Sequence, residues 1–179
     1  MPLPIGHTAA GLVVFETMRP SAHRNSRLAQ IVFIAVLANL PDLDVLLGLI
    51  VQGNGSAFHR GPSHSLLFAL IVGFAASQMW RFWHRIPRIG FAACSLLIFS
   101  HVAADILLTS APVSLFWPLE IHWSAGHNGW GQVINMVLFQ SYRDAGIAFA
   151  AGLYLFALRF IRSNAFHHSV FAFARKRSK

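Results

Sequence analysis

The sequence predicts an all-α fold, a polytopic transmembrane bundle of about five helices with a metal-type site between helices near the outer face. Three observations lead there. Of the 179 residues, 55% are hydrophobic and only 11% charged, and the mean hydropathy is +0.55, a balance that suits lipid rather than water as the solvent. Runs almost free of charge recur along the chain and approach the roughly 20 residues that cross a bilayer core. Several of these runs also carry histidine or aspartate at matching distances from a basic flank.

Each expected helix has its own signals. The first, Leu3 to Met18, has no basic region before it and Arg19 after it, so it reads as a short span rather than a signal peptide. The second, Leu28 to Val51, starts beside Arg27 and contains Pro41, which breaks regular helix geometry. The third, Leu66 to Trp83, follows Ser63, a residue suited to capping a helix start, and runs into Arg81 and Arg85. The fourth, Ile89 to Thr109, follows Arg88 and holds Cys94, the only cysteine. An internal disulfide and a cysteine zinc cluster are thereby excluded, so any metal must bind imidazole and carboxylate. The fifth, Ala145 to Arg162, leads to a tail ending Arg175-Lys176-Arg177-Ser178-Lys179.

The formal charge of +8 is gathered in basic blocks beside the apolar runs. Placing those blocks on the cytoplasmic side puts the N-terminus outside and the C-terminus inside an inner membrane. The basic segments are then anchors for anionic lipid headgroups, and no nucleic-acid partner is expected. Residues 1–179 read as a single membrane-embedded domain, with outer loops at Gln52 to Ser63 and Ser110 to Asp144. The second loop holds Gly126-His127-Asn128-Gly129-Trp130-Gly131, read either as a lid or as a re-entrant segment.

Depth can be counted from the basic anchors at about 1.5 Å per helical residue. His7 lies 12 residues from Arg19, about 18 Å up. Asp42 is 15 residues from Arg27, His64 is 17 from Arg81, and His101 and Asp105 are 13 and 17 from Arg88, which gives heights of roughly 20 to 25 Å. Ionisable groups at such depth are rare unless paired, liganded or facing water. His101 and Asp105 share a helix face by their i, i+4 spacing. Asp42 and Asp44 would diverge on a regular helix, but a break at Pro41 lets both turn toward one cavity. His59 and His64 flank Arg60, a combination of metal ligands with a cation for an anionic group.

The ordered pieces Gly6-His7, Leu40-Pro41-Asp42-Leu43-Asp44, His59-Arg60-Gly61-Pro62-Ser63-His64-Ser65, Ser100-His101-Val102-Ala103-Ala104-Asp105 and Leu115-Phe116-Trp117-Pro118 span most of residues 6 to 118. In this set the chain resembles the YdjM-type family of inner-membrane proteins, classed with metal-dependent hydrolases. It departs from the family pattern at Pro62 and Ser63, where an aromatic and a threonine are commoner, and at Ala111-Pro112, where a glycine is usual. The order of ligands is also similar to zinc-dependent phospholipases C and the single-strand nucleases of their superfamily. That resemblance implies one ion held by Asp44, His59, His101 and Asp105 and a second to which His7 and Asp105 contribute. It fades beyond Pro118, leaving Glu120, His122 and His127 without an assigned role.

Together these readings imply a metal-dependent hydrolase, zinc being the expected ion, that acts on an ester or phosphoester bond in a membrane lipid or lipid-like substrate. Asp42 is the expected base or supporting acid, Arg60 the clamp on anionic oxygen, and His64 a ligand or general acid. Two other classes stay open at this point: a metal or proton transporter using the same side chains, and a non-catalytic membrane protein with a structural metal.

Overall fold

The computed structural model describes residues 4–18, 26–108, 112–119, 121 and 143–177. Helix α1 is Pro4–Met18, α2 is Arg27–Asn39, α3 is Leu43–Gln52, α4 is Leu66–Gln78, α5 is Phe91–Leu108 and α6 is Arg143–Arg177. A 3-10 turn over Leu40–Asp42 joins α2 to α3 in one continuous segment, so the described residues form five helical rods in an all-helical fold. Lid segment 126–131, together with Glu120, His122 and His127, lies outside the described residues.

Two rods, Arg27–Gln52 and Ala145–Ser163, are long and apolar enough to cross a membrane, while Leu66–Arg81 and Phe91–Leu107 are shorter apolar helices. The helices wear apolar side chains on both sides. In α2 the inward face buries Ile34, Leu37 and Ala38, yet Leu28, Ile31, Val32 and Val36 on the outer face are exposed. The same holds for Ile71 and Phe74 of α4 and for Phe149, Leu153, Phe156 and Phe160 of α6. An outer surface this apolar is matched to lipid tails.

Helix α5 is the axis of the bundle, packing against α1, α2 and α4, while α6 runs along α1. Its buried stripe repeats at helical spacing through Cys94, Leu97, Ile98, His101, Val102 and Asp105. The first three join Phe15, Ile34, Leu37 and Ala69 in the main apolar core. One turn further on, the same stripe turns polar.

Small residues let the helices approach closely. A Cβ added at Gly73 of α4 would lie 2.7 Å from the Cα and N of Ser95 in α5, and one at Gly11 of α1 would lie 2.9 Å from the Cβ of Ala38 in α2. Polar ties add to this. Asn39 Nδ2 donates to Thr8 Oγ1 at 2.9 Å, linking α2 to α1. At the other end of α1, Arg162 of α6 donates to the carbonyls of Glu16 and Thr17 at 3.0 and 3.4 Å, meeting acceptors that a helix end leaves open.

The structure departs from the sequence expectation in the cap of α4, in its end at Gln78 where Trp83 was expected, in the start of α5 at Phe91 where Ile89 was expected, and in the length of α6. The cap of α4 is Ser65, whose hydroxyl accepts from Phe68 N at 3.1 Å, and not Ser63. Pro62–His64 forms its own 3-10 turn, which leaves the helix start at Leu66 but gives the Ser63 hydroxyl to Asp44. Helix α6 continues to Arg177 rather than ending at Arg162, since residues 163–177 contain neither proline nor glycine to stop it.

The Gly73 approach predicts that Gly73→Val lowers the thermal unfolding midpoint in detergent, by the equivalent of about 1–3 kcal/mol for an overpacked contact. Gly90→Ala, where an added Cβ meets nothing within 4 Å, leaves that midpoint unchanged. Equal midpoints for both variants would show that the α4–α5 approach is slack.

Candidate metal centre

The Pro41 break fulfils a local need. Proline at the second position of the 3-10 turn lacks the N–H that a continuing helix requires, and the turn re-aims the chain between α2 and α3. Asp42 and Asp44 then both reach the space above the α5 stripe. The loop that follows returns His59, Arg60, Ser63 and His64 to the same place, while α1 and α5 bring His7, His101 and Asp105. All eight residues singled out from the sequence therefore meet.

Asp44 is the hub of this loop. It is buried, and its carboxylate accepts from the Arg60 backbone N–H at 3.2 Å and from the Ser63 hydroxyl. Its Oδ1 lies 3.0 Å from His59 Nδ1 and its Oδ2 lies 3.2 Å from His64 Nδ1. A carboxylate only accepts, so both rings present their N–H to Asp44 and keep a lone pair on Nε2. His101 is oriented in a similar way, because its Nδ1 donates to the Ala38 carbonyl at 2.8 Å. Sequence reasoning missed Ser63 and the Ala38 carbonyl. Ser63 was visible inside its motif, but a backbone carbonyl one helix away leaves no sequence signal.

These bonds turn acceptors toward one another. His101 Nε2 lies 3.3 Å from His64 Nε2 and 3.3 Å from Asp42 Oδ1, and His64 Nε2 lies 3.7 Å from Asp42 Oδ1 and 3.5 Å from Asp105 Oδ2. Lone pairs at this separation repel unless something positive lies among them. A proton relieves one contact; a cation relieves several. The buried His59 Nε2 and Asp42 Oδ1 have no hydrogen-bond partner among the described residues, as expected of donors kept for an ion. Charge points the same way. Among the described residues three carboxylates face one guanidinium, Arg60 Nε at 3.8 Å from Asp105 Oδ2, so these groups are short of positive charge in a low-dielectric bundle.

Among the described residues, two groups have ligand atoms within 4.8 Å of one another: Asp42, His59, His64 and Asp105, and His7, His101 and Asp105. The division differs from the one the phospholipase resemblance implied. Asp42 and His64 stand among the ligand-capable residues, His101 groups with His7, and Asp44 holds its neighbours from behind. Asp105 belongs to both groups, with Oδ1 3.7 Å from His7 Nε2 and Oδ2 3.5 Å from His64 Nε2. The His7 and His101 rings stack, 3.7 Å between centroids and 20° between planes. The donor set of imidazole and carboxylate fits a borderline divalent ion.

Among the described residues, the exposed members of the centre lie together. His7, His64, His101 and Asp105 are fully buried, whereas the side chains of Asp42, His59 and Arg60 are 21%, 15% and 13% exposed and form the mouth. Arg60 has φ +67°, a left-handed conformation that costs a non-glycine residue about 1–2 kcal/mol. Its N–H bond to Asp44 and its carbonyl, which accepts from Ser114 N at 3.1 Å, hold it there. The adjoining amide of Leu66 donates to Leu115 O at 2.9 Å, so the segment beginning the Leu-Phe-Trp-Pro motif braces the loop.

Fold and centre define an all-helical membrane protein whose buried histidines and aspartates, contributed by different helices, are suited to bind metal. The chain belongs to the YdjM inner membrane protein family, which matches residues 1–172. It is similar to the inner membrane protein YbcI of Escherichia coli (strain K12), 39% identical over 88 residues that cover 46% of this chain and 50% of that protein. The match thus spans about half the length of that relative. No solved structure matches the chain.

Because Asp44 orients two imidazoles from behind, Asp44→Asn is expected to weaken divalent-metal affinity about 10–100-fold while leaving the stoichiometry at saturation unchanged. Titration of the metal-stripped protein measures both. His101→Ala and Asp105→Ala are expected to remove bound metal, and full metal content in both variants would rule out this centre.

Proposed function

We propose that the chain is a membrane-embedded, metal-dependent hydrolase that cleaves an ester or phosphoester bond in a lipid or lipid-like substrate. The single observation behind this reading is the crowding of His64, His101, Asp42 and Asp105 acceptors at a mouth that also carries a guanidinium. Zinc is the ion best suited to the donor set, and bound there it would supply Lewis acidity and a water acidified toward neutral pH. Asp105, common to both groups, would be available to an ion held by either one.

The chain's own side chains divide the remaining work. Arg60 is at the mouth, its Nε has no hydrogen-bond partner among the described residues, and its approach to Asp105 is longer than a hydrogen bond. It is therefore placed to pair with anionic oxygen on a substrate. Asp42, the most exposed of the acids that contact these histidines, is positioned to accept a proton from the attacking water. His64 is better suited to ligand than to general acid, since it is fully buried, with Nδ1 held by Asp44 and Nε2 turned toward His101, Asp42 and Asp105.

Among the described residues, the surroundings of the centre favour hydrolysis over transport. The stripe below the centre is closed by Ile34, Leu37, Leu97 and Ile98, all buried and apolar, whereas a transport route needs polar groups continuing toward the opposite face. With the basic blocks in the cytoplasm, the mouth opens at the outer face of the inner membrane, the N-terminus outside and the C-terminus inside.

Purified full-length protein loaded with zinc is expected to hydrolyse members of a panel of lipid esters and phosphodiesters. Arg60→Ala should lower kcat/KM about 100-fold on anionic substrates, the scale of losing one charge-stabilising donor. Metal flux into sealed vesicles with no ester turnover would instead establish a transporter. A reporter fused after Lys179 is expected to read cytoplasmic, and a periplasmic signal would reverse the orientation.

A further inference from the structure

At the end of the bundle away from the metal centre, α4 gives way to a 3-10 turn over Met79–Arg81, and α5 begins at Phe91. The segment between them holds Arg81, Arg85 and Arg88 and no acidic residue. Two of these arginines are arranged differently from the third. The guanidinium of Arg88 lies over the Trp80 ring at 4.6 Å from its centroid, and that of Arg81 approaches the same ring at 5.9 Å. No carboxylate partners either one among the described residues.

Two like charges drawn to one indole repel each other. The ring's negative face offsets part of that repulsion, and a shared anion would remove more of it. Beside them is a cavity of about 330 Å³, within the size range of small-molecule sites, lined by Ser77, Gln78, Trp80, Arg81, Arg88 and Gly90 among others. Its lining runs from polar and cationic groups at the helix ends to apolar Ile89 and Phe91. That gradient is the one a phospholipid presents where headgroup meets acyl chain.

We infer that Arg81, Arg88 and Trp80 form a binding site for the phosphate of an anionic phospholipid. The planar guanidiniums pair with phosphate oxygens, and Trp80 holds both side chains at the depth where tryptophan prefers to sit, the headgroup boundary. Arg85 serves as the internal comparison. It carries the same charge on the same segment, but it lines an apolar groove between α2 and α4 and has no place on the Trp80 ring. If charge alone held lipid at this face, all three arginines would matter equally.

Native mass spectrometry of the full-length protein in detergent, titrated with phosphatidylglycerol or with phosphatidylcholine of the same acyl chains, tests the site. The wild type is expected to retain phosphatidylglycerol in preference to phosphatidylcholine. The double variant R81Q/R88Q should bind phosphatidylglycerol about 30-fold more weakly, from about 1 kcal/mol for each arginine. R85Q should bind as the wild type does. Inorganic phosphate at matched concentration should displace no lipid, and displacement would assign the site to a free anion and overturn the lipid reading. So would equal losses for R85Q and R81Q/R88Q, or equal retention of both lipids by the wild type. Unchanged metal content in R81Q/R88Q shows that the double variant is folded; if that content falls, the single variants R81Q and R88Q, each expected to be about 5-fold weaker, carry the test.

Discussion

The centre depends on one buried carboxylate that holds its neighbours rather than facing the shared space. Asp44 ties the loop bearing His59, Arg60, Ser63 and His64 to the start of α3. These bonds fix the loop's fold, so that only a few of its polar atoms, His59 Nε2 and Arg60 Nε among them, are left without a hydrogen-bond partner among the described residues. By taking the Nδ1 protons of two imidazoles, Asp44 leaves their other nitrogens as bare acceptors. The Ala38 carbonyl acts likewise on His101. Orientation of this kind makes the centre electron-rich before any ion arrives, and a divalent cation relieves the charge and the lone-pair repulsion together.

The bundle supplies the frame for that orientation. A single stripe on α5 is apolar at Leu97 and Ile98 and polar at His101 and Asp105, so one helix face is both core and site. Close approaches at Gly11 and Gly73 bring α1 against α2 and α4 against α5. Van der Waals packing of this sort, rather than a hydrophobic drive, holds helices together in a membrane. The polar centre sits above the packed apolar core, open at Asp42, His59 and Arg60 and closed below.

Much of this was legible in the sequence, and the reasons are physical. Helical rise is constant, so counting from basic flanks placed His7, Asp42, His64, His101 and Asp105 at one level, and the structure brings them together. Apolar runs gave the five rods to within a few residues at most ends, because lipid demands continuous hydrophobic length. Direction around each helix axis was harder. The 3-10 turn at Leu40–Asp42 decides where Asp42 and Asp44 point, and nothing in the spacing sets that angle, so the bonds of Asp44 to His59, Ser63 and His64 left no signal in the sequence. Ser63 looked like a helix cap because serine before an apolar run usually is one, but Ser65 is closer to the first helical residue. The ring shared by Arg81 and Arg88 was hidden for a related reason: as residues in a row they read only as basic anchors.

Helix α6 contributes no described ligand to the centre, yet it bears on where one side chain sits. Arg162 grips the last carbonyls of α1, and Tyr154 meets Thr17 Oγ1 at 3.0 Å nearby. His7 sits at the far end of that same rod. A rigid rod fastened at its base transmits any tilt to its tip, so a change in how the peripheral helix leans in the bilayer would shift one imidazole against Asp105 and leave the other helices in place. Bilayer thickness is thereby coupled to the spacing of His7 and Asp105.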